Sequence, residues 1–409
     1  MNPRRFVNLI VEDTSHRMYS LHRLDAMKHL FYPSAEALRA THDAKTTTKK
    51  KPSTLERPPV LPKPEISFHP MASSTLSSMN RNSFSLLGRD DGIVFTDSIG
   101  STALYSTVNG TFATIPPTAG SLRGPHCMNL PMTQASHPTG RNDEDRGSTL
   151  YVMDLSSDAR IHDRFQVLAC HQDDGWRWCA LPAPPFISSY PYSYGSTTCY
   201  TVVDSSTICI SSMKGDLGTY AFDTSRSVWR QVGKFALPWC GKAEYVPELN
   251  LWLGFSLLTG SPPVGTLISV CGPPFPRLCA LDLSAMDAAE QPPTPQGSWD
   301  FLDLPEDNNR RMMSQLHLVN LGSGMFCIAT LLTNLLRVPA PYLPLTDDED
   351  DSPCISDEDN MIDLLCDEIV ILTGVKVERS CNDGEAPLQM IKHKSRRYDL
   401  KQYTMKAVL

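Results

Sequence analysis

The residues best equipped for chemistry are twelve cysteines and eleven histidines, spread along 409 residues. A zinc site needs several thiolates or imidazoles converging on one ion, and sequences that build one usually carry them in close pairs. No CxxC pair occurs, and Cys170, Cys209 and Cys327 each sit inside apolar, strand-like runs. A free cysteine in such a run behaves as a small buried hydrophobe. Buried free thiols are therefore expected, and with them a reducing compartment, cytoplasmic and/or nuclear. Nucleotide motifs are missing: there is no GxxxxGKS/T, and no GxGxxG opening a helix after a strand. Gly322-Ser-Gly324 reads as a turn between strands. Neither HExxH nor GxSxG occurs, and His393, within Lys392-His-Lys394, reads as a surface histidine. A triad assembled by folding draws no support from spacing. The sequence assigns no catalytic, cofactor-binding or metal-ligating residue, and no cofactor is expected.

Two serines could carry phosphate. Ser352 precedes Pro353, as a proline-directed kinase requires, and Ser356 opens Ser356-Asp-Glu-Asp359, which suits an acid-directed one. Each phosphate would add about −1.5 to −2 charges. Both serines lie in the most acidic stretch of the chain. Residues 347–351 and 357–359 bring eight carboxylates with no Lys or Arg among them, and the formal net charge of the whole protein is −8. The rest of the chain is near neutral, so it offers no general basic field for nucleic acid. A local basic patch, Lys392, Lys394, Arg396 and Arg397, is open to three readings: a solvated face, a partner contact, or a contact to the acidic segment. Tyr398 and Tyr403 are too few aromatics to argue stacking on RNA. The acidic segment, within residues 339–361, is expected to stay hydrated and disordered, because like charges this dense resist packing.

The elements that would position these residues are short strands. Proline, at 33 of 409 residues, stands well above the usual ~5% and argues against long helices. Residues 4–12 read as a strand, and residues 19–32 as a strand followed by a helical turn. Residues 41–64, Lys- and Pro-rich, read as a linker or long loop, and their Lys49-Lys50-Lys51 is either solvated or a weak nuclear-localisation patch. From residue 65 to 409, runs such as Phe84–Leu87, Gly92–Thr96, Phe165–Cys170, Gly218–Phe222 and Glu368–Val377 recur with turn signals between them. Strands at this spacing with no intervening helices imply an all-β fold. Residues 1–40 are expected to join that fold through their strand.

A degenerate repeat narrows the architecture. Phe112-Ala-Thr-Ile115-Pro116, Trp178-Cys-Ala-Leu181-Pro182 and Trp299-Asp-Phe-Leu302 share an aromatic followed by an aliphatic, with proline close behind. Trp229, ahead of Leu237-Pro238, is a looser case. Such an aromatic suits the outer strand of a propeller blade, where neighbouring sheets must bury their faces against each other. Units recur at ~50–60 residues, near the longer kelch-like class. The expectation is a degenerate kelch-like β-propeller of six or seven blades, with the N-terminal strand closing the ring against Glu368–Val377 or Leu388–His393. Two β-sandwiches are the structural alternative. Phe112, Trp178, Trp229 and Trp299 are the expected blade aromatics.

These residues also carry a resemblance. Arg4-Arg5-Phe-Val-Asn-Leu-Ile-Val11, Gly218-Thr-Tyr-Ala-Phe-Asp-Thr224, Leu237-Pro-Trp-Cys-Gly-Lys-Ala-Glu-Tyr-Val246, and Leu318-Val-Asn-Leu-Gly-Ser-Gly-Met-Phe-Cys327 resemble a plant family, expanded in grasses, that is defined as a domain of unknown function. The resemblance spans almost the whole chain. It implies a β architecture like the kelch-type propellers of plant F-box proteins, and it brings no activity and no site residue. The Lys-rich stretch at 45–51 departs from the family pattern.

The functional expectation is a non-catalytic module recognising a protein partner through its loops. The alternative is an enzyme, of hydrolase or sugar-processing type, with its active site at a propeller mouth. No secretory signal is read at the start, and no apolar run reaches the ~20 residues of a membrane helix. A soluble protein away from membranes is expected.

Overall fold

Short runs of β-branched and aromatic residues, ended by turn residues, pair in sequence into antiparallel meanders in the computed structural model of the chain. The structure describes residues 3–40, 60–69, 82–88, 92–97, 100–117, 127–133, 148–154, 163–171, 175–186, 198–204, 206–212, 217–256, 267–268, 276–286, 292–302, 311–339, 361–380 and 387–409. Almost all of the regular structure among them is strand, so the fold is all-β. Helix is confined to two short stretches near the start: α1 (Ala26–Leu30), a five-residue turn capped by the Asp25 side chain, which accepts from the Lys28 N–H, and a further helical turn at residues 35–40.

Six four-stranded antiparallel meanders are found among the described residues. The first sets β1 (Phe6–Asp13), β2 (Met18–Asp25) and β3 (Pro64–Phe68) beside the C-terminal strand β25 (Tyr403–Val408), in the order β25-β1-β2-β3. The second runs β4 (Ser83–Leu87), β5 (Gly92–Thr96), β6 (Thr102–Ser106) and β7 (Thr111–Ile115). The third runs β8 (Cys127–Thr133), β9 (Ser148–Asp154), β10 (Phe165–His171) and β11 (Gly175–Ala180). The fourth holds β12 (Thr198–Val203), β13 (Thr207–Ser212), β14 (Gly218–Asp223) and β15 (Val228–Gly233). The fifth holds β16 (Trp239–Val246), β17 (Leu251–Ser256), β19 (Arg277–Leu281) and β20 (Pro295–Trp299). A short parallel pairing of β12 with β16 links these two. The sixth is β21 (Arg311–Gly322), β22 (Met325–Pro339), β23 (Met361–Arg379) and β24 (Leu388–Asp399), with β18 (Leu267–Ile268) on the edge of β21.

Each sheet is apolar on both faces, because each face meets a different neighbour. Tyr19 and Ile10 of the first meander pack on Phe84, Phe95 and Tyr105 of the second. Leu87 and Val94 of the second meet Leu150, Val152 and Leu168 of the third. Met128, Met153 and Phe165 of the third meet Ile208, Ile210 and Phe222 of the fourth. Cys199 and Cys209 of the fourth pack on Trp239, Trp252 and Cys279 of the fifth. Leu253, Phe255 and Leu278 of the fifth meet Phe326, Ile328 and Val375 of the sixth. Finally Ala329, Leu331 and Leu372 of the sixth share a core with Val7, Leu9 and Met405 of the first. Burying one such Leu or Phe side chain contributes about 1.5–3 kcal/mol.

Several strands differ from the sequence expectation. The partner of β1 is β25, from Leu9↔Val408 to Asp13↔Tyr403, and not Glu368–Val377 or Leu388–His393. Tyr403–Val408 escapes a pattern reading because its alternation is broken: the ladder passes from Val11↔Met405 to Ile10↔Ala407, leaving Lys406 as an extra residue. Pro64, assigned to the linker, starts β3, and the neighbouring Pro62 carbonyl bonds the His22 ring at 2.6 Å. β20 ends at Trp299 where a strand at 299–302 was expected. The ends of the acidic loop, Pro339 and Met361, belong to strands.

Candidate functional site

The four expected blade aromatics all stand on the last strand of their meander. Phe112 is on β7, Trp178 on β11, Trp229 on β15 and Trp299 on β20, each directly opposite an apolar residue of the preceding strand: Tyr105, Leu168, Phe222 and Leu278. Three of them reach across to the preceding sheet. Trp178 donates its indole N–H to Thr102 Oγ1 at 3.2 Å, and Trp229 donates to the Pro182 carbonyl at 2.7 Å. The Phe112 ring meets Phe68 edge-on at 5.9 Å. Trp299 instead lies in the core between the fifth and sixth meanders and covers Gly297, where a Cβ would collide with its ring. Burial differs among them: the three tryptophans are half-buried, while Phe112 remains 47% exposed. Ser352 and Ser356 lie outside the described residues.

The leading strands of the meanders, β25, β4, β8, β12, β16 and β21, carry polar side chains that pair locally. Asn129 Nδ2 donates to Ser83 Oγ at 3.3 Å, joining β8 to β4. Thr201 Oγ1 donates to the Ala243 carbonyl at 2.8 Å, joining β12 to β16. Lys242 pairs with Glu244 at 2.6 Å, and Lys406 with the buried Glu12 at 2.7 Å. His317 on β21 contacts Gln315 Oε1 at 3.0 Å. Ser85 Oγ, Asn129 Oδ1 and Thr198 Oγ1 are buried without a hydrogen-bond partner among the described residues. Buried polar atoms of this kind are satisfied by water or a polar ligand.

Burial holds several ionisable groups of these sheets in their neutral forms. Burial pushes the His317 imidazole down to about 4, so at neutral pH it is uncharged. Burial raises the Tyr200 phenol, with the Glu244 carboxylate adding to the effect. Burial likewise raises the Cys127, Cys199 and Cys240 thiols, takes Cys279 up to about 11 and Cys327 up to about 12. A thiol held protonated is a poor nucleophile and a poor metal ligand. Among the described residues no group of three His, Cys, Asp or Glu could hold a metal ion. All nine described cysteines are free thiols.

The basic patch falls on β24, the last strand of the sixth meander, where α1 packs. Lys394 Nζ sits 4.9 Å from the centre of the Tyr32 ring, and Arg397 pairs with Asp399 at 3.0 Å. The His29 ring beside it is pushed down by burial and then by Lys28, Arg396 and Lys394. Gly322-Ser-Gly324 forms the β21–β22 turn, with φ of +83°, +55° and +71°. At Gly324 a Cβ would run into the Val377 carbonyl, so its glycines serve the turn. Sequence reasoning missed Asn129 and Thr198: polar residues inside apolar strands give no local signal until the sheets are arranged.

An all-β chain of consecutive four-stranded meanders is the class that this geometry defines. The chain belongs to the family described as "Protein of unknown function (DUF1668)", whose model matches residues 4–398. No curated protein matches it. Among solved structures it is similar to the major allergen Mala s 1 of Malassezia sympodialis, at 9% identity and a TM-score of 0.33, covering 78% of this chain and 86% of the other. It is also similar to the β-propeller domain of Cps50 (Swd1) from Myceliophteria thermophila, at 10% identity and a TM-score of 0.30, over 79% and 90%. A third is the Dos1 propeller, at 9% identity and a TM-score of 0.32, over 82% of each chain. Among the described residues no helix is long and apolar enough to cross a membrane.

Proposed function

We propose that the chain is a six-bladed, kelch-like β-propeller that acts as a protein-binding module in a reducing compartment, cytoplasmic and/or nuclear. The observation that carries the reading is the series of six inter-sheet cores, each joining one meander to the next and the last to the first. Six sheets related in this way stand around one axis, with β25, β4, β8, β12, β16 and β21 innermost. Two separate sandwiches would not give each sheet two different neighbours. The C-terminal strand then completes the first blade from inside and fastens the two ends of the chain together. Such a ring is a rigid frame whose loops are free to present a recognition surface.

Affinity purification from native tissue, read by mass spectrometry, tests this. The reading expects a protein partner that returns in every replicate. A purification that yields a bound small molecule and no recurrent protein contradicts it, and favours an enzyme working at the mouth of the ring.

A further inference from the structure

We infer that the two-stranded ribbon made by residues 335–339 and 361–365 is a docking edge for an extended, lysine- or arginine-rich segment of a partner protein. The sixth meander is uneven. β21 begins at Arg311, opposite Asn334, and β24 ends at Asp399, opposite Ile369. β22 and β23 continue past both, pairing Leu335↔Leu365, Leu336↔Leu364 and on to Pro339↔Met361. No third strand flanks this extension among the described residues.

Its leucines are in the wrong place for a finished structure. Leu336 is 54% exposed, Leu364 47% and Leu365 66%, while Leu332 and Ile369 at the base are buried. Leu336 opposes Leu364 on one face, and Leu335 opposes Leu365 on the other, because side chains alternate along a strand. A two-stranded ribbon alone is marginal in water. Unpaired edges bearing apolar side chains invite strand addition, in which main-chain hydrogen bonds give affinity and alternate side chains give specificity.

Charge selects the occupant. Asp367 and Cys366 are exposed at the base, and the segment that joins the two strands, residues 340–360, holds eight carboxylates and no Lys or Arg. A second copy of this chain would bring two such segments together, and their repulsion opposes that pairing. A cationic strand gains from the same field, with apolar residues on alternate positions meeting the leucines. The inference rests on the protein-binding reading and names the chemistry of its partner.

The test uses the full chain and a fluorescein-labelled peptide alternating lysine and valine, followed by fluorescence anisotropy. Two control peptides carry glutamate in place of lysine, or proline at the backbone-pairing positions. The lysine–valine peptide is expected to bind, more weakly as salt rises, and neither control to bind. Leu336→Asp with Leu365→Asp should lower its affinity about tenfold without moving the denaturation midpoint. Asn in place of the five acidic residues 347–351, which leaves the ribbon intact, should flatten the salt dependence. Undiminished binding by the leucine variant, or equal binding of the proline peptide, overturns the proposal. So does a wild-type dimer that the leucine variant dissociates, or a gain in peptide affinity when residues 41–59 are deleted, since the occupant would then be a second copy or the chain's own lysines. A tissue partner captured equally by wild type and the leucine variant leaves the protein-binding reading standing and removes the ribbon from it.

Discussion

At the residue scale, the outer-strand aromatics separate packing from position. Trp229 lies within 4.9 Å of Phe222 and 5.6 Å of Phe165, ring centre to ring centre, and ties to the Pro182 carbonyl. Trp229→Ala removes both the packing and the tie, and should cost about 2–4 kcal/mol, somewhat below a fully buried tryptophan. Phe112→Ala, at a half-exposed ring, should cost less than about 1.5 kcal/mol. Urea denaturation of the two variants measures the difference, and equal losses would contradict it. His317 gives a pH signature. Its folded pKa, about 4, lies below the ordinary histidine value of 6.5, so the folded chain binds fewer protons than the unfolded chain between those pH values. Its contribution is full above pH 6.5 and declines as the pH falls toward 4. His317→Gln should flatten that acid limb, seen as a smaller drop in the urea midpoint between pH 7 and pH 5.

At the element scale, most strands were legible, as was the pairing of the N-terminal strand with the C-terminal part of the chain, but not which strand makes that pairing. Phe84–Leu87, Gly92–Thr96 and Gly218–Phe222 announce themselves because period-two apolarity and turn residues are local signals. β8 carries Pro131, which demotes a run from strand in any pattern reading, although a leading strand tolerates it. β25 hides behind its bulged Lys406, and what holds it is tertiary: Asn8 and Leu409 exchange main-chain hydrogen bonds at 2.8 and 2.9 Å, and Lys406 reaches Glu12. The polar leading-strand residues were unreadable for the same reason, since only the arrangement of sheets brings Ser83 to Asn129. Removing residues 403–409 should therefore expose the β1 edge and the Val7–Leu9–Met405 core together, and yield insoluble protein. Soluble, monomeric truncated chain on gel filtration would show that β25 is an accessory. Gly374 makes a second point about assembly. A Cβ there would strike the Leu30 carbonyl at the end of α1, so Gly374→Ala should cost more than about 1 kcal/mol, read as a lowered denaturation midpoint.

At the scale of the whole molecule, charge and frame are divided. The eight acidic residues at 347–359 account for the whole net charge of −8, while six apolar cores join the described meanders one to the next. Deleting residues 347–359 should leave the denaturation midpoint nearly unchanged and reduce solubility as the net charge approaches zero. A large fall in the midpoint would show that the acidic segment helps to hold the frame. The central claim is the ring itself, and a crystal structure of the chain tests it most directly. The account predicts six four-stranded sheets around a single axis, with Tyr403–Val408 innermost in the sheet that holds Phe6–Asp13. Five or seven sheets, two separate sandwiches, or a C-terminal strand paired elsewhere would contradict it.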